Sequence, residues 1–269
     1  MADQFVRIIR KPPVVEIVLD RADKRNALNA RMIAQVREAF VSAAGDNEVH
    51  VVVLSAAGPD FCAGFDLTTV DSDEGPQARA ERERAELFEF SLGIRNHPSP
   101  TIALVQGANV AAGLLISQAC DLVVASEDAY FYNPLVRMGG VGLEVLWEPY
   151  DLGFRQAKRI LFTGGRLSAP EARQLGMVTD VVPREELAAA GRQLAARIAA
   201  MPPETLRLLK RSLNAAQDAA GMRAGQEQHF ELHQQGHRTS ESRRLLHDKR
   251  LGRDLKDYFA ERDAGRPGG

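Results

Sequence analysis

Residues 108–121 read ANVAAGLLISQACD. Small residues at Ala111, Ala112 and Gly113 lead into Leu114-Leu115-Ile116, and the stretch closes on Cys120-Asp121. Bare backbone before an apolar helical turn lets a ligand approach the main chain, and the free N–H groups of a helix start favour negative charge. A related stretch lies upstream. GPDFCAGFDL (58–67) follows the strand-like HVVVLSA (50–56), as GANVAAG (107–113) follows TIALVQG (101–107). Two main-chain donors from such loops, converging on one carbonyl oxygen, make an oxyanion hole. Tight packing of small residues at strand–helix junctions is the alternative reading.

Working outward, VVEIVLD (14–20) and LVVAS (122–126) join the two runs above as short β-branched segments bounded by turn residues, the pattern of buried strands. Between them, 29–44 spaces Met32, Ile33, Val36 and Phe40 along one helical face and ends at Gly45. Residues 76–93 predict a charged helix with Leu87, Phe88 and Leu92 on one side. This alternation argues for an α/β architecture with partly parallel strands. After Pro183 the segments 184–200, 203–219 and 222–258 are all helix-like, and the tail AERDAGRPGG reads as frayed. The charge-dense 68–84 is either a solvated face or a lid.

Composition narrows the function. Lys and Arg number 34 against 36 Asp and Glu, so no global field selects nucleic acid or an anionic membrane. No apolar stretch reaches the ~20 residues needed to span a bilayer, and the first residues lack the apolar core of a signal peptide. Two cysteines, Cys62 and Cys120, make no disulfide framework and read as small buried hydrophobes; a cytoplasmic location is the expectation. His97, His229, His233, His237 and His247 have no Cys or carboxylate at ligand spacing, so no metal site is expected, and 228–237 reads as a solvated helix, with a packed face as the other reading for the i, i+4 pair His229 and His233. There is neither a Walker phosphate loop nor a Rossmann glycine fingerprint.

FCAGFDL (61–67), followed at its spacing by VQGANVAAGLLISQACDLVVAS (105–126), resembles the enoyl-CoA hydratase/isomerase, or crotonase, superfamily. DRADKRNALN (20–29), ILFTGGRLSAPEARQLGMVTDVVP (160–183) and MPPETLRLLKRSLNAA (201–216) extend the resemblance over most of the chain. It implies a spiral of ββα repeats over 1–200, a helical C-terminal trimerisation region over 201–269, and a homotrimer or a dimer of trimers. It implies an acyl-CoA thioester as substrate, with coenzyme A as part of that substrate and no separate cofactor. By the same resemblance the oxyanion donors are the N–H groups of Ala63 and Ala112, the latter standing where relatives usually carry glycine, and coenzyme A runs past Lys24, Arg25, Ala27, Asp66 and Leu67. An exposed basic turn is the alternative for Lys24 and Arg25, and a backbone-bonding role is favoured for Asp66.

The chain departs from the family pattern where hydratases carry two glutamates: those positions hold Leu115 and Leu135. Leucine accepts no proton, and each lost acid/base group typically removes ~10²–10⁴-fold in rate. GGVGLEVLWEPYDLG (139–153) offers Glu144, Glu148 and Asp151 in their place. Glu144, flanked by Leu143 and Val145, is the candidate acid, because burial would raise its pKa; an ordinary helix-start acid is the competing reading. Leu115, Leu135, Arg137 and Trp147 are candidates for the acyl pocket, with Arg137 either meeting a carboxylated acyl group or pairing with Glu144, and with a core role the favoured reading for Trp147 and Tyr150. Two functions follow: an acyl-CoA enzyme of lyase or isomerase type with a relocated acid, or a non-catalytic acyl-CoA binder that kept only the thioester cradle.

Overall fold

A computed structural model of the chain describes residues 4–66, 68 and 74–244. Unbroken runs of Val, Ile and Leu suit strands covered on both faces, and they build a six-stranded sheet. Its order is β1 (Val6–Lys11), β2 (Val14–Leu19), β3 (Val51–Ala56), β4 (Thr101–Val105), β6 (Leu122–Ser126) and β9 (Asp180–Val182). All neighbours pair in parallel except β1 with β2. Alternate residues serve opposite faces. Val52, Leu54, Ala103, Val105, Val123 and Ala125 enter the main core with α1 (Ala30–Ala44), while Val51, Val53, Ile102, Leu104 and Val124 pack beneath α8 (Leu187–Ala199). A Cβ at Gly191 of α8 would lie 2.5 Å from the end of the Leu104 side chain, so glycine lets that helix approach the sheet without displacing this leucine.

A second, three-stranded sheet is made of β5 (Ala108–Val110), β7 (Tyr130–Tyr132) and β8 (Arg166–Ser168). β4 is followed by β5 in the other sheet and then by α4 (Ala112–Ser117); β6 is followed in the same way by β7. This stepping between sheets is the expected spiral of ββα units. β1 and the three-residue strands escape the sequence pattern because β1 is a largely exposed edge and the others are too short to show a period.

The expected helix over 29–44 forms, with the Asn29 side chain accepting the Met32 N–H at 2.8 Å and Gly45 at the other end. The helix expected over 76–93 does not run straight. It comprises α2 (Pro76–Glu83), a π-helical turn (Arg84–Phe88) and α3 (Glu89–Arg95), with Leu87, Phe88 and Leu92 buried as their spacing predicts. Next come α5 (Glu148–Leu152), α6 (Phe154–Thr163) and α7 (Ala169–Leu175).

The C-terminal helices α9 (Pro203–Ala219) and α10 (Met222–Gly236) pack on the chain's own core. Buried Lys210 meets Asp121 at 2.7 Å, and buried Arg95 meets Asp218 at 3.1 Å. Met222 and Phe230 of α10 belong to the main core, Phe230 lying 5.1 Å from Phe88 between ring centroids. The expected helix over 222–258 ends at Gly236 in its first part; its remainder beyond residue 244, His247 and the tail lie outside the described residues. Among the described residues, no helix is long and apolar enough to cross a membrane.

Candidate active site

The segments that leave the carboxyl ends of β2, β3 and β4 are laced together, at the edge where open parallel sheets bind ligands. Phe61 N–H donates to Gln106 O at 2.7 Å, Cys62 N–H to Ala108 O at 2.9 Å, and Val110 N–H to Cys62 O at 2.9 Å. Asp60 accepts the Ala108 N–H at 2.8 Å. The first segment joins through Leu28 N–H to Gly64 O and Asp66 N–H to Leu28 O, both 2.8 Å. Fully buried Asn26, in the left-handed region at φ 53°, donates to Ala57 O at 2.8 Å and Asp60 O at 2.9 Å and accepts the Arg21 N–H at 2.8 Å. Thus the two small-residue loops paired in the sequence are adjacent in space. Both cysteines are buried, and burial pushes their thiols up to about 12, as suits core residues rather than nucleophiles.

Ala111 adopts φ 46° and ψ −110°, a conformation that side chains rarely take. It is held there by its N–H to Tyr132 O at 3.0 Å and by Leu114 N–H donating to its carbonyl at 2.7 Å. The strained residue ends β5 and starts α4, so Ala112 is the first helical residue, whose N–H has no partner within the helix. A Cβ at Gly113 would come within 2.9 Å of Cys62 Cβ, which fixes glycine there. The Ala63 N–H is engaged differently, donating to Arg25 O at 3.0 Å.

The expected coenzyme A residues surround this knot. Lys24 is exposed; Arg25 is exposed but pairs with Asp60 at 2.6 Å; Ala27 is half-buried and its carbonyl accepts from Arg21 at 2.9 Å. Asp66 takes the backbone-bonding role, accepting the Thr68 N–H at 3.1 Å and hydroxyl at 2.6 Å while pairing with Arg21 at 2.7 Å. Leu67 lies outside the described residues. Of the expected acyl-pocket residues, Leu115 and Trp147 are buried in the main core, and Leu135 packs against it half-buried. Arg137 is half-buried, with a guanidinium nitrogen 3.4 Å from the Tyr132 hydroxyl. Trp147 and Tyr150 also line a cavity of about 620 Å³ beside Cys120, Leu209, Lys210 and Met222.

Glu144 stands on an irregular segment rather than at a helix start. It is 5% exposed, between Leu143 and Val145, both also buried. α10 grips this segment from one side: the Leu146 N–H donates to Gln226 Oε1 at 2.9 Å, Gln226 Nε2 donates to Leu146 O at 2.8 Å, and His229 Nε2 and His233 Nδ1 meet the carbonyls of Leu143 and Gly142 at 2.7 and 2.9 Å. Burial raises the Glu144 carboxyl above the ordinary range; His233, at 3.9 Å, opposes that shift and the Glu83 charge adds to it. Its Oε2 is buried with no hydrogen-bond partner. Nearby Glu148 is also buried, accepts from Asn133 at 2.9 Å, and is raised by burial. Asp151 keeps part of its surface exposed, yet enclosure of its carboxyl, with the Glu148 charge, pushes it up to about 8.

The histidines overturn one sequence expectation. His229 and His233 are buried on α10, as the packed-face reading of the pair has it and not as a solvated helix would, because they meet the carbonyls of Leu143 and Gly142. No carboxylate stands at ligand spacing in the sequence, but Glu83, about 150 positions upstream, comes within 3.4 Å of His233 and 3.2 Å of His237 in space. The i, i+4 spacing of 229, 233 and 237 is visible in the sequence, but the partner across the fold is not.

Known proteins match the chain along most of its length. The profile of the enoyl-CoA hydratase/isomerase family matches residues 10–251. The Mycobacterium tuberculosis protein EchA13 is 38% identical over 245 residues, covering 83% of this chain and 77% of its own. The mouse mitochondrial enoyl-CoA hydratase domain-containing protein 3 is 34% identical over 198 residues, covering 72% of this chain and 65% of its own. Among solved structures, an enoyl-CoA hydratase/isomerase from Xanthobacter autotrophicus Py2 superposes with a TM-score of 0.91 at 30% identity, over 98% of this chain and 99% of that one. With two laced small-residue loops at the carboxyl edge of a spiral ββα sheet and a family match along nearly its whole length, the chain belongs to the enoyl-CoA hydratase/isomerase family.

Proposed function

We propose that the protein acts on an acyl-CoA thioester by polarising its carbonyl with main-chain N–H groups and moving a proton with Glu144. The Ala112 N–H, set by the strained Ala111, is the first donor. The Ala63 N–H is the second, and it becomes available when the Arg25 carbonyl, on the loop proposed to meet coenzyme A, turns aside. Such donors favour the enolate over the neutral thioester, because charge grows on the oxygen as the α-proton leaves. Leu115 and Leu135 supply no acid, so two-glutamate hydration is not the proposed route. The observation that carries this reading is the Glu144 carboxyl, buried on a segment held by three α10 side chains and with one oxygen free of partners.

A binding-only role is the second reading, favoured by the engagement of Ala63 N–H with Arg25 O. Mass spectrometry of a panel of enoyl, dienoyl, malonyl-type and hydroxyacyl CoA esters separates the two. Glu144→Gln should lower turnover by ~10²–10⁴-fold while leaving ester affinity within a few-fold. Unchanged turnover removes Glu144 from the mechanism; tight binding with every ester recovered intact establishes the binder.

The proposed assembly is a homotrimer or a dimer of trimers. Exposed Leu208, Leu209 and Leu213 on α9 and Phe154 and Phe162 on α6 support it, as apolar faces suited to a neighbouring subunit. The proposed compartment is the cytoplasm, in keeping with two unpaired cysteines.

A further inference from the structure

Beside Glu144 the fold gathers a second polar cluster, for which proton transfer at the thioester has no use. Glu83 ends α2, directly before the π-helical turn, a local distortion frequent at functional sites. His233 lies in the last turn of α10 and His237 follows that helix. Glu83 Oε2 is 3.4 Å from His233 Nε2 and 3.2 Å from His237 Nε2, and the two imidazole nitrogens are 3.1 Å apart. Ligand atoms of a tetrahedral zinc-type site, with bonds of about 2.0–2.1 Å, stand roughly 3.3 Å from one another. The triangle already has that size.

The rings are also oriented for it. His233 Nδ1 faces the Gly142 carbonyl, which can only accept, so the neutral ring carries its proton there and turns the Nε2 lone pair into the triangle. Gln234 holds the carboxylate by donating to Glu83 Oε2 at 2.7 Å. With His233 neutral, one N–H of His237 faces both Glu83 and His233; with His233 protonated, its Nε2–H meets Glu83 instead, and a cation competes with that proton for the site. A cation satisfies all three. Glu83 and His233 are buried, while the His237 side chain is 28% exposed and gives a route in. Glu144 Oε1 lies 3.9 Å from His233 Nε2, and its Oε2 is buried without a partner.

We propose that Glu83, His233 and His237 form a site for a first-row divalent cation of the zinc type. Two imidazoles and one carboxylate are a borderline donor set that suits such ions better than calcium or magnesium. The inference stands apart from the role given to Glu144 in turnover, because its test reads metal binding.

The full-length protein, stripped with a chelator, is titrated with Zn²⁺ by calorimetry and with Co²⁺ by visible absorption. One cation per chain is expected, with the ligand-field bands of a four-coordinate cobalt centre and a raised unfolding temperature. His233→Ala and Glu83→Gln should weaken binding by more than ~10²-fold, beyond the ~10–100-fold typical of outer-shell partners. If those buried variants fail to fold, His237→Gln at the more exposed position gives the same reading. Absence of saturable binding, or binding unchanged in His237→Gln, overturns the site.

Discussion

At the residue scale, position 111 concentrates the argument. An alanine held at φ 46° and ψ −110° stores roughly 1–3 kcal/mol of backbone strain. What the strain secures is the start of α4 at Ala112. Glycine adopts these angles freely, so Ala111→Gly should stabilise the protein, less the ~0.8 kcal/mol of one buried methyl and ~0.4–1 kcal/mol of chain entropy, for a net gain centred on about 0.5 kcal/mol in urea unfolding. A lower midpoint would show that the Ala111 methyl, which a Cβ at Gly64 would approach to 3.3 Å, packs more favourably than the strain costs. The small residues made this loop legible in the sequence. The Ala63 N–H bonded to Arg25 was not, because that hydrogen bond joins residues 38 positions apart in chain order and no local pattern encodes it.

At the element scale, helices carry acids into apolar surroundings. Leu115 lies in the buried helix α4, where Ser91 donates to its carbonyl at 2.6 Å; a leucine there completes the core that a glutamate would interrupt. Short helix α5 opens with buried Glu148, whose carboxyl burial raises. Below the ordinary carboxyl range the folded and unfolded chains are both protonated, and the stability tied to this group is complete. As pH rises the unfolded chain releases the proton first, so that stability is lost until the folded carboxyl also ionises. Glu148→Gln keeps an oxygen for Asn133 and removes this titration. Its unfolding temperature should lie above that of the parent protein at pH 8 and converge with it only below about pH 4, where the unfolded carboxyl is protonated too; parallel curves would refute the assignment. The residue identities in 139–153 offered Glu144, Glu148 and Asp151 as candidate acids. Which acid is enclosed and left with a free oxygen depended on α10, some 80 residues later.

At the scale of the whole molecule, α9 fixes itself inward through Lys210 with Asp121 and leaves Leu208, Leu209 and Leu213 outward. An apolar face of this kind beside a well-paired polar one is suited to association. If the proposed trimer forms through this face, replacing Leu209 and Leu213 together by Lys should convert it to monomers in sedimentation velocity, with the far-ultraviolet circular dichroism preserved. An unchanged sedimentation coefficient would place the subunit contact elsewhere, with Phe154 and Phe162 of α6 the next surface to alter.

The sequence by itself determined the alternating architecture, because parallel strands buried on both faces must be written as continuous apolar runs and amphipathic helices as 3.6-residue patterns. It also determined the paired small-residue loops and the leucines at 115 and 135, since these are identities at fixed spacing. Only the tertiary structure decided what surrounds Glu144. Glu83, Glu144 and His233 come from three segments, and their burial, orientation and mutual distances of 3.4 and 3.9 Å arise from α10 docking across the 142–146 segment and α2. Contacts between elements so far apart in the chain depend on packing of the whole core, which local periodicity does not contain.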